Sequence, residues 1–228
     1  MEMDNSAYPE LINQEINWLP GDTKQLYKYN LKQNAQELSP WINNSFTYKF
    51  NSKGFRCKEF DVEDNAVFLG CSYTIGIGLP IQNTWATLVA QELDLACYNL
   101  GLGGGSWDSI YRISSYWIEK LNPKFVFILE PPSIRYEVIP YGNVSIHEHH
   151  VFENTPWGNL FQHKQNYKLN KQKNVTALKT FHNNMFIIDN DRDWFMDNHV
   201  DTARDLAHPG IQTNQRLKEK VLAVLDNK

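Results

Sequence analysis

Four short apolar runs, separated by segments of helical periodicity, limit what this chain can fold into more than any other feature. Residues 66–69, 95–100, 125–129 and 185–188 are too uniformly apolar to alternate between a core face and a solvent face. They read as strands buried on both sides, the situation of parallel strands covered by helices. Between the first two runs, residues 84–93 place apolar side chains at 85, 88, 89 and 93. After the second, Ser106 stands where a helix cap belongs, ahead of a stripe made by Ile110, Ile113, Trp117, Ile118 and Leu121, and the pattern stops at Asn122-Pro123. A more polar helix is predicted from about 165 to 182, and a last one carries Leu217, Val221, Leu222 and Leu225 on one side. This alternation predicts an α/β chain, a three-layer α/β/α sandwich around a central parallel sheet.

At 228 residues the chain is long enough for one such domain with a full core and too short for two. Residues 1–45, rich in Asn, Gln, Pro and Tyr with little periodicity, read as an N-terminal extension packed on a domain of residues 46–228. Residues 46–50 alternate as a strand does, 51–54 supply turn chemistry and 55–57 resume, which predicts a hairpin. Residues 131–160 interrupt the alternation with Pro131-Pro132, Pro140, Gly142 and Pro156-Trp157-Gly158, and read as a lid or substrate-binding insertion.

Composition excludes several function classes. A net charge of −4 with singly scattered lysines leaves no basic stripe for a polyanion, so no nucleic-acid partner is expected. The start, Met1 to Ser6, is acidic and polar where a signal peptide needs a basic start and an apolar run, and no segment approaches the ~18 apolar residues of a membrane span. The expectation is a soluble, cytoplasmic chain with no membrane span. Cys57, Cys71 and Cys97 are odd in number and lack metal-ligand spacing, so reduced thiols are expected, with Cys71 a weak competitor as nucleophile.

The chemistry-bearing residues lie at the ends of these predicted elements. Ser72 follows the first apolar run almost at once and is succeeded by a glycine-punctuated loop, which is how a nucleophile is presented at a strand tip. Asp205 and His208 lie three residues apart on a turn before the last helix, close enough for the carboxylate to orient the imidazole as a general base. The loop from Asn99 to Gly105 offers backbone N–H groups to an oxyanion, although such loops also cradle phosphates. In an open parallel sheet ligands bind outside the carboxyl ends of the strands, so these segments converge on one rim. Each residue also has a structural reading: Ser72 as a small residue ending a strand, and His208 as a residue of a helix's N-terminal turn. Asp197, His199 and Asp201 form a rival acid–imidazole set, and His208, set before Pro-Gly and a helix, is preferred over it. The run containing His147, His149 and His150 reads either as a metal-ligand pair on one strand face or as a solvated loop, and with no second cluster no metal is assigned. The aromatic residues serve either as core or as stacking platforms for sugars.

These residues resemble the SGNH or GDSL-like hydrolases. Gly70-Cys71-Ser72 is similar to that family's Gly-Asp-Ser block, Asn99 to Ser106 to its second block, and Asp205-Leu206-Ala207-His208-Pro209 to its final Asp-x-x-His-Pro block. Tyr48 to Arg56 resembles the Asn-x-x-Gly-Phe-Arg lead-in of some bacterial branches. The resemblance runs from about residue 48 to the C-terminus. It implies a flavodoxin-like fold and a serine-dependent ester hydrolase without a cofactor. Ser72 would be its nucleophile, His208 its base and Asp205 its orienting acid, with the N–H groups of Ser72 and Gly104 as oxyanion donors. Two departures stand out: Cys71 replaces the first-block aspartate, and residues 130–135 replace the Gly-x-Asn-Asp that would donate to the oxyanion. Ser133 or Arg135 stands where a substitute donor is needed, while Arg135 equally fits a salt bridge with Glu137 or Glu130. The expected substrates are acyl or acetyl esters of carbohydrates or small molecules. The alternatives are an O-acyltransferase using the same residues, or a catalytically weak or inactive glycan-binding module on the same fold.

Overall fold

In the computed structural model, residues 5–131, 135–138, 147–150 and 164–226 are described. The chain opens with the two-residue strand β1 (Glu15–Ile16) and helix α1 (Lys24–Gln33), followed by β2 (Tyr48–Lys49). Then come β3 (Asn65–Leu69), α2 (Ser72–Ile75), α3 (Trp85–Glu92), β4 (Ala96–Asn99), α4 (Trp107–Leu121) and β5 (Phe125–Leu129). An antiparallel hairpin of β6 (Arg135–Val138) and β7 (His147–His150) precedes α5 (Lys164–Leu178), β8 (Met185–Ile188), α6 (Arg192–Asn198) and α7 (Ile211–Asp226).

The central sheet has the order β4-β3-β5-β8 with every pairing parallel. Counted along the chain its strands run 2-1-3-4, the doubly wound order in which the first strand lies inside and the chain switches direction beside it. Because side chains alternate across a strand, each strand feeds two cores. Val67, Leu69, Tyr98, Val126 and Ile128 pack toward α4 and α5. Ala66, Phe68, Phe127, Leu129 and Ile188 pack toward α3 and α7. On that second face Phe68, Phe127 and Phe186 stack across three strands, with centroids 5.3 and 5.4 Å apart, and Trp85 of α3 meets Phe68 edge-on. The four apolar runs are therefore strands of one sheet, the central β3 and β5 buried on both sides and the edge strands β4 and β8 partly exposed, and the α/β/α sandwich is observed.

Local signals explain the helix ends. Ser106 caps α4: its Oγ accepts from the Ser109 N–H at 3.2 Å, and Ser109 Oγ accepts from the Ser106 N–H at 2.8 Å. Asn122 closes the helix with φ +41°. Thr84 caps α3 and Thr23 caps α1 in the same manner.

The expected hairpin between residues 46–50 and 55–57 does not form. β2 pairs antiparallel with β1 instead. The Asn51 side chain bends the chain, its Oδ1 accepting from the N–H groups of Lys53 and Phe55, both at 3.0 Å. Arg56 then turns inward to the carbonyls of Ile75, Gly76 and Leu79. The polar helix predicted to reach 182 stops at Leu178.

Candidate active site

Ser72 owes its position to two glycines. Gly70, directly after β3, has φ +149°, and a Cβ there would lie 2.3 Å from Thr74 Oγ1 and 2.9 Å from the Leu129 carbonyl oxygen. Only glycine lets the chain turn this tightly from the strand into α2, whose first residue is Ser72. That helix lasts one turn and ends at Gly76 with φ +76°. The loop beyond is held by the buried Arg56, which donates to the carbonyls of Ile75, Gly76 and Leu79 at 2.8, 2.7 and 2.6 Å. The Arg56 guanidinium also lies 4.3 Å from the Tyr48 ring centroid. The Gly-Phe-Arg lead-in is thus a scaffold for the turn that carries Ser72.

The loop after β4 is drawn against this turn. Asn99 Nδ2 donates to the Thr74 carbonyl at 2.6 Å, and its Oδ1 accepts from the Gly101 N–H at 3.0 Å. Gly105 makes the approach possible, since a Cβ there would lie 2.8 Å from the Gly70 carbonyl oxygen. Gly103 N–H donates to the Tyr8 hydroxyl at 2.7 Å. Neither the N–H of Ser72 nor that of Gly104 donates to another described residue.

Asp205 and His208 form a closed turn. Asp205 Oδ1 accepts from the N–H groups of Ala207 and His208 at 3.1 and 3.0 Å, while Oδ2 hydrogen-bonds His208 Nδ1. The carboxylate is fully buried and the imidazole is 18% exposed. With Nδ1 engaged, Nε2 is the nitrogen left for a proton acceptor's role. The turn requires Leu206 at φ +58°, a region that costs a branched residue roughly 1–2 kcal/mol. It is braced by Asn30 of α1, whose Nδ2 donates to the Asp205 carbonyl at 3.0 Å, and the Tyr73 ring meets the imidazole edge-on at 5.8 Å.

Ser72 and His208 line one pocket of about 460 Å³, together with Gly103, Gly104, Arg135, Ile77, Tyr8, Pro20 and Gly21. The last three come from the N-terminal segment and were not singled out as site residues from the sequence. Leu19-Pro20-Gly21-Asp22 is a tight turn in which the Asp22 N–H donates to the Leu19 carbonyl at 2.9 Å, with Pro at the second position and Gly21 at φ +92°. A Cβ on Gly21 would sit 3.8 Å from His208 Cε1. Pro-Gly is a readable turn signal; where the turn docks is a long-range matter that local patterns do not carry.

Asp22 anchors that turn to the histidine loop. Its carboxylate takes three hydrogen bonds from Arg204, the shortest 2.6 Å, and one from the Tyr48 hydroxyl at 2.5 Å. Tyr48 in turn accepts from the Gly78 N–H at 2.7 Å. Burial and the facing Asp22 push the Tyr48 phenol well above its ordinary pKa, so it remains a donor. The Arg204 guanidinium sits between the rings of Trp18 and Phe46, about 4.1 and 4.0 Å from their centroids.

Other sequence candidates fall elsewhere. Asp201 caps α7, accepting from the Thr213 N–H and hydroxyl, both at 2.8 Å, and His199 lines a separate pocket with Trp41. The salt bridge of Arg135 with Glu137 or Glu130 does not form: Arg112 lies 2.7 Å from Glu137 and Lys171 2.5 Å from Glu130, so both carboxylates are already paired. Cys71 is fully buried, and burial pushes the Cys57 thiol up. Ser133 lies outside the described residues, as do the side chains of His147, His149 and His150. Among the described residues no group of three or more His, Cys, Asp or Glu is placed to hold a metal ion, and no helix is long and apolar enough to cross a membrane.

No protein-family model matches the chain, and no curated protein matches it. Among solved structures, the chain is similar to a Desulfitobacterium hafniense protein ascribed to the lipolytic G-D-S-L family, at 17% identity and a TM-score of 0.40, covering 70% of this chain and 98% of that one. A Veillonella parvula protein ascribed to the same family is similar at 14% identity and a TM-score of 0.39, covering 72% and 99%.

Proposed function

We propose that this chain is a serine-dependent ester hydrolase in which Ser72 is the nucleophile, His208 the general base and Asp205 the acid that orients the imidazole. The observation that carries the reading is the Asp205–His208 pair, closed by three hydrogen bonds and sharing its pocket with Ser72. Buried carboxylate, partly exposed imidazole and hydroxyl at a strand tip are the parts needed to activate a weak nucleophile. Ser72 Oγ attacks the ester carbonyl carbon while His208 Nε2 takes its proton, and the Asp205 carboxylate stabilises the resulting imidazolium. The N–H groups of Ser72 and Gly104 hold the oxyanion. Collapse breaks the carbon–oxygen bond to the alcohol, which leaves with the proton from His208. Water then attacks the acyl-enzyme with His208 again as base, releasing the acid and restoring Ser72. If an alcohol takes the place of water, the same steps transfer the acyl group.

The resemblance to the SGNH or GDSL-like hydrolases points to the same roles, and the expected substrates are acyl or acetyl esters of carbohydrates or small molecules. Hydrolysis of p-nitrophenyl acetate by the wild type beside Ser72→Ala and His208→Ala, with a chelator present, tests the reading. The expected result is turnover by the wild type and background rates for both variants. Equal rates for all three would contradict it and favour a glycan-binding module.

A further inference from the structure

We infer that Arg135 is the receptor for a fixed negative charge on the ester, so that the pocket takes esters carrying a carboxylate or phosphate group. This rests on the serine-hydrolase reading and adds a substrate class to it. Arg135 begins β6 and lines the pocket shared by Ser72 and His208. Its Nε and Nη1 are buried and find no hydrogen-bond partner among the described residues. A guanidinium keeps its charge at any pH a protein survives, and burying one without a counter-charge is costly. The three buried arginines are held otherwise: Arg56 donates to three carbonyls, Arg112 pairs with Glu137 and Arg204 with Asp22. The acidic neighbours along the chain are already taken, Glu137 by Arg112 and Glu130 by Lys171. No acidic side chain is among the described residues lining the pocket, whose other walls are Tyr8, Pro20 and Ile77. Among the described residues no acidic side chain compensates Arg135, which leaves that role to an anionic group on whatever fills the pocket. A carboxylate or phosphate oxygen suits a guanidinium through charge-assisted hydrogen bonds.

The rival role for the same side chain is as a third oxyanion donor, and kinetics separates the two. A receptor for a fixed charge acts in the ground state and on anionic substrates only; an oxyanion donor acts in the transition state of every ester. Wild type, Arg135→Met and Arg135→Lys are to be compared on two matched pairs. In 4-acetoxybenzoate against its methyl ester the charge lies on the alcohol side. In p-nitrophenyl hemiadipate against p-nitrophenyl hexanoate it lies on the acyl side. In at least one pair the wild type favours the anionic member by about 10- to 100-fold in kcat/KM, the worth of a charge-assisted hydrogen bond. Arg135→Met erases that preference by raising KM for the anionic member, and an unchanged far-ultraviolet circular dichroism spectrum shows that the variant is folded. Arg135→Lys, which keeps the charge and loses the planar fork, retains part of the preference. The inference is overturned if the wild type treats both members of both pairs alike, or if Arg135→Met lowers kcat equally for neutral and anionic esters. Turnover of neutral esters without charge preference removes this inference alone. Failure to turn over any ester, together with failure to take a serine-directed phosphonate, removes the hydrolase reading as well.

Discussion

At the scale of single residues, the Asp205-to-His208 turn concentrates the chemistry and carries a conformational cost. Its acid and imidazole are legible in the sequence because their spacing of three lets a carboxylate reach back to a ring nitrogen. Leu206 is not legible, since nothing in a leucine announces φ +58°, a conformation usually left to glycine or asparagine. Gly78 opposite has the same character: a Cβ there would lie 2.8 Å from the Ala203 Cβ and 3.2 Å from Asp205 Oδ1, so the loop needs a glycine in order to sit against the acid. Asp205→Asn keeps the volume of the side chain but changes the hydrogen-bonding that selects the imidazole tautomer. It is expected to lower kcat/KM by about 10³- to 10⁴-fold while far-ultraviolet circular dichroism stays unchanged, as an equivalent change does in serine proteases. A loss under about tenfold would mean that Asp205 only closes the turn.

At the scale of elements, the strands were readable and the N-terminal segment was not, for a physical reason. Both-face burial leaves a local mark, an unbroken apolar run, so the four strands of the sheet stand out. Helix α1 has only one buried residue, Asn30, and that residue serves a distant carbonyl on Asp205. A helix held by such tertiary contacts leaves little periodicity to detect. The pairing of β2 with β1 across about thirty residues, in place of the local hairpin, is long-range in the same sense. The contact that fastens this segment is the Asp22–Arg204 pair, with side-chain exposures of 1% and 6%. Asp22→Asn leaves a buried guanidinium, stacked between Trp18 and Phe46, without its counter-charge. The expected loss in urea denaturation is about 3–5 kcal/mol, whereas replacing both partners with apolar residues costs much less. A change below about 1 kcal/mol would show the pair to be energetically idle.

At the scale of the whole molecule, the 2-1-3-4 strand order brings together at one end of the sheet the loops after β3 and β4 and the turn before α7. The sequence could place each of these loops at a strand's carboxyl end, and with them most of the polar side of the pocket. The opposite wall, from Tyr8, Pro20 and Gly21, depends on how the first residues fold back onto the domain, and the lack of an acidic partner for Arg135 among the described residues depends on which partners its neighbours choose. Neither is a local property. In the serine-hydrolase proposal, the claim on which every step depends is that the pocket so assembled activates Ser72. Intact-mass measurement after incubation with a serine-directed fluorophosphonate tests it most directly. One adduct per chain, mapped to Ser72 and absent in His208→Ala, is the predicted result; no adduct, or one on another residue, would contradict the claim.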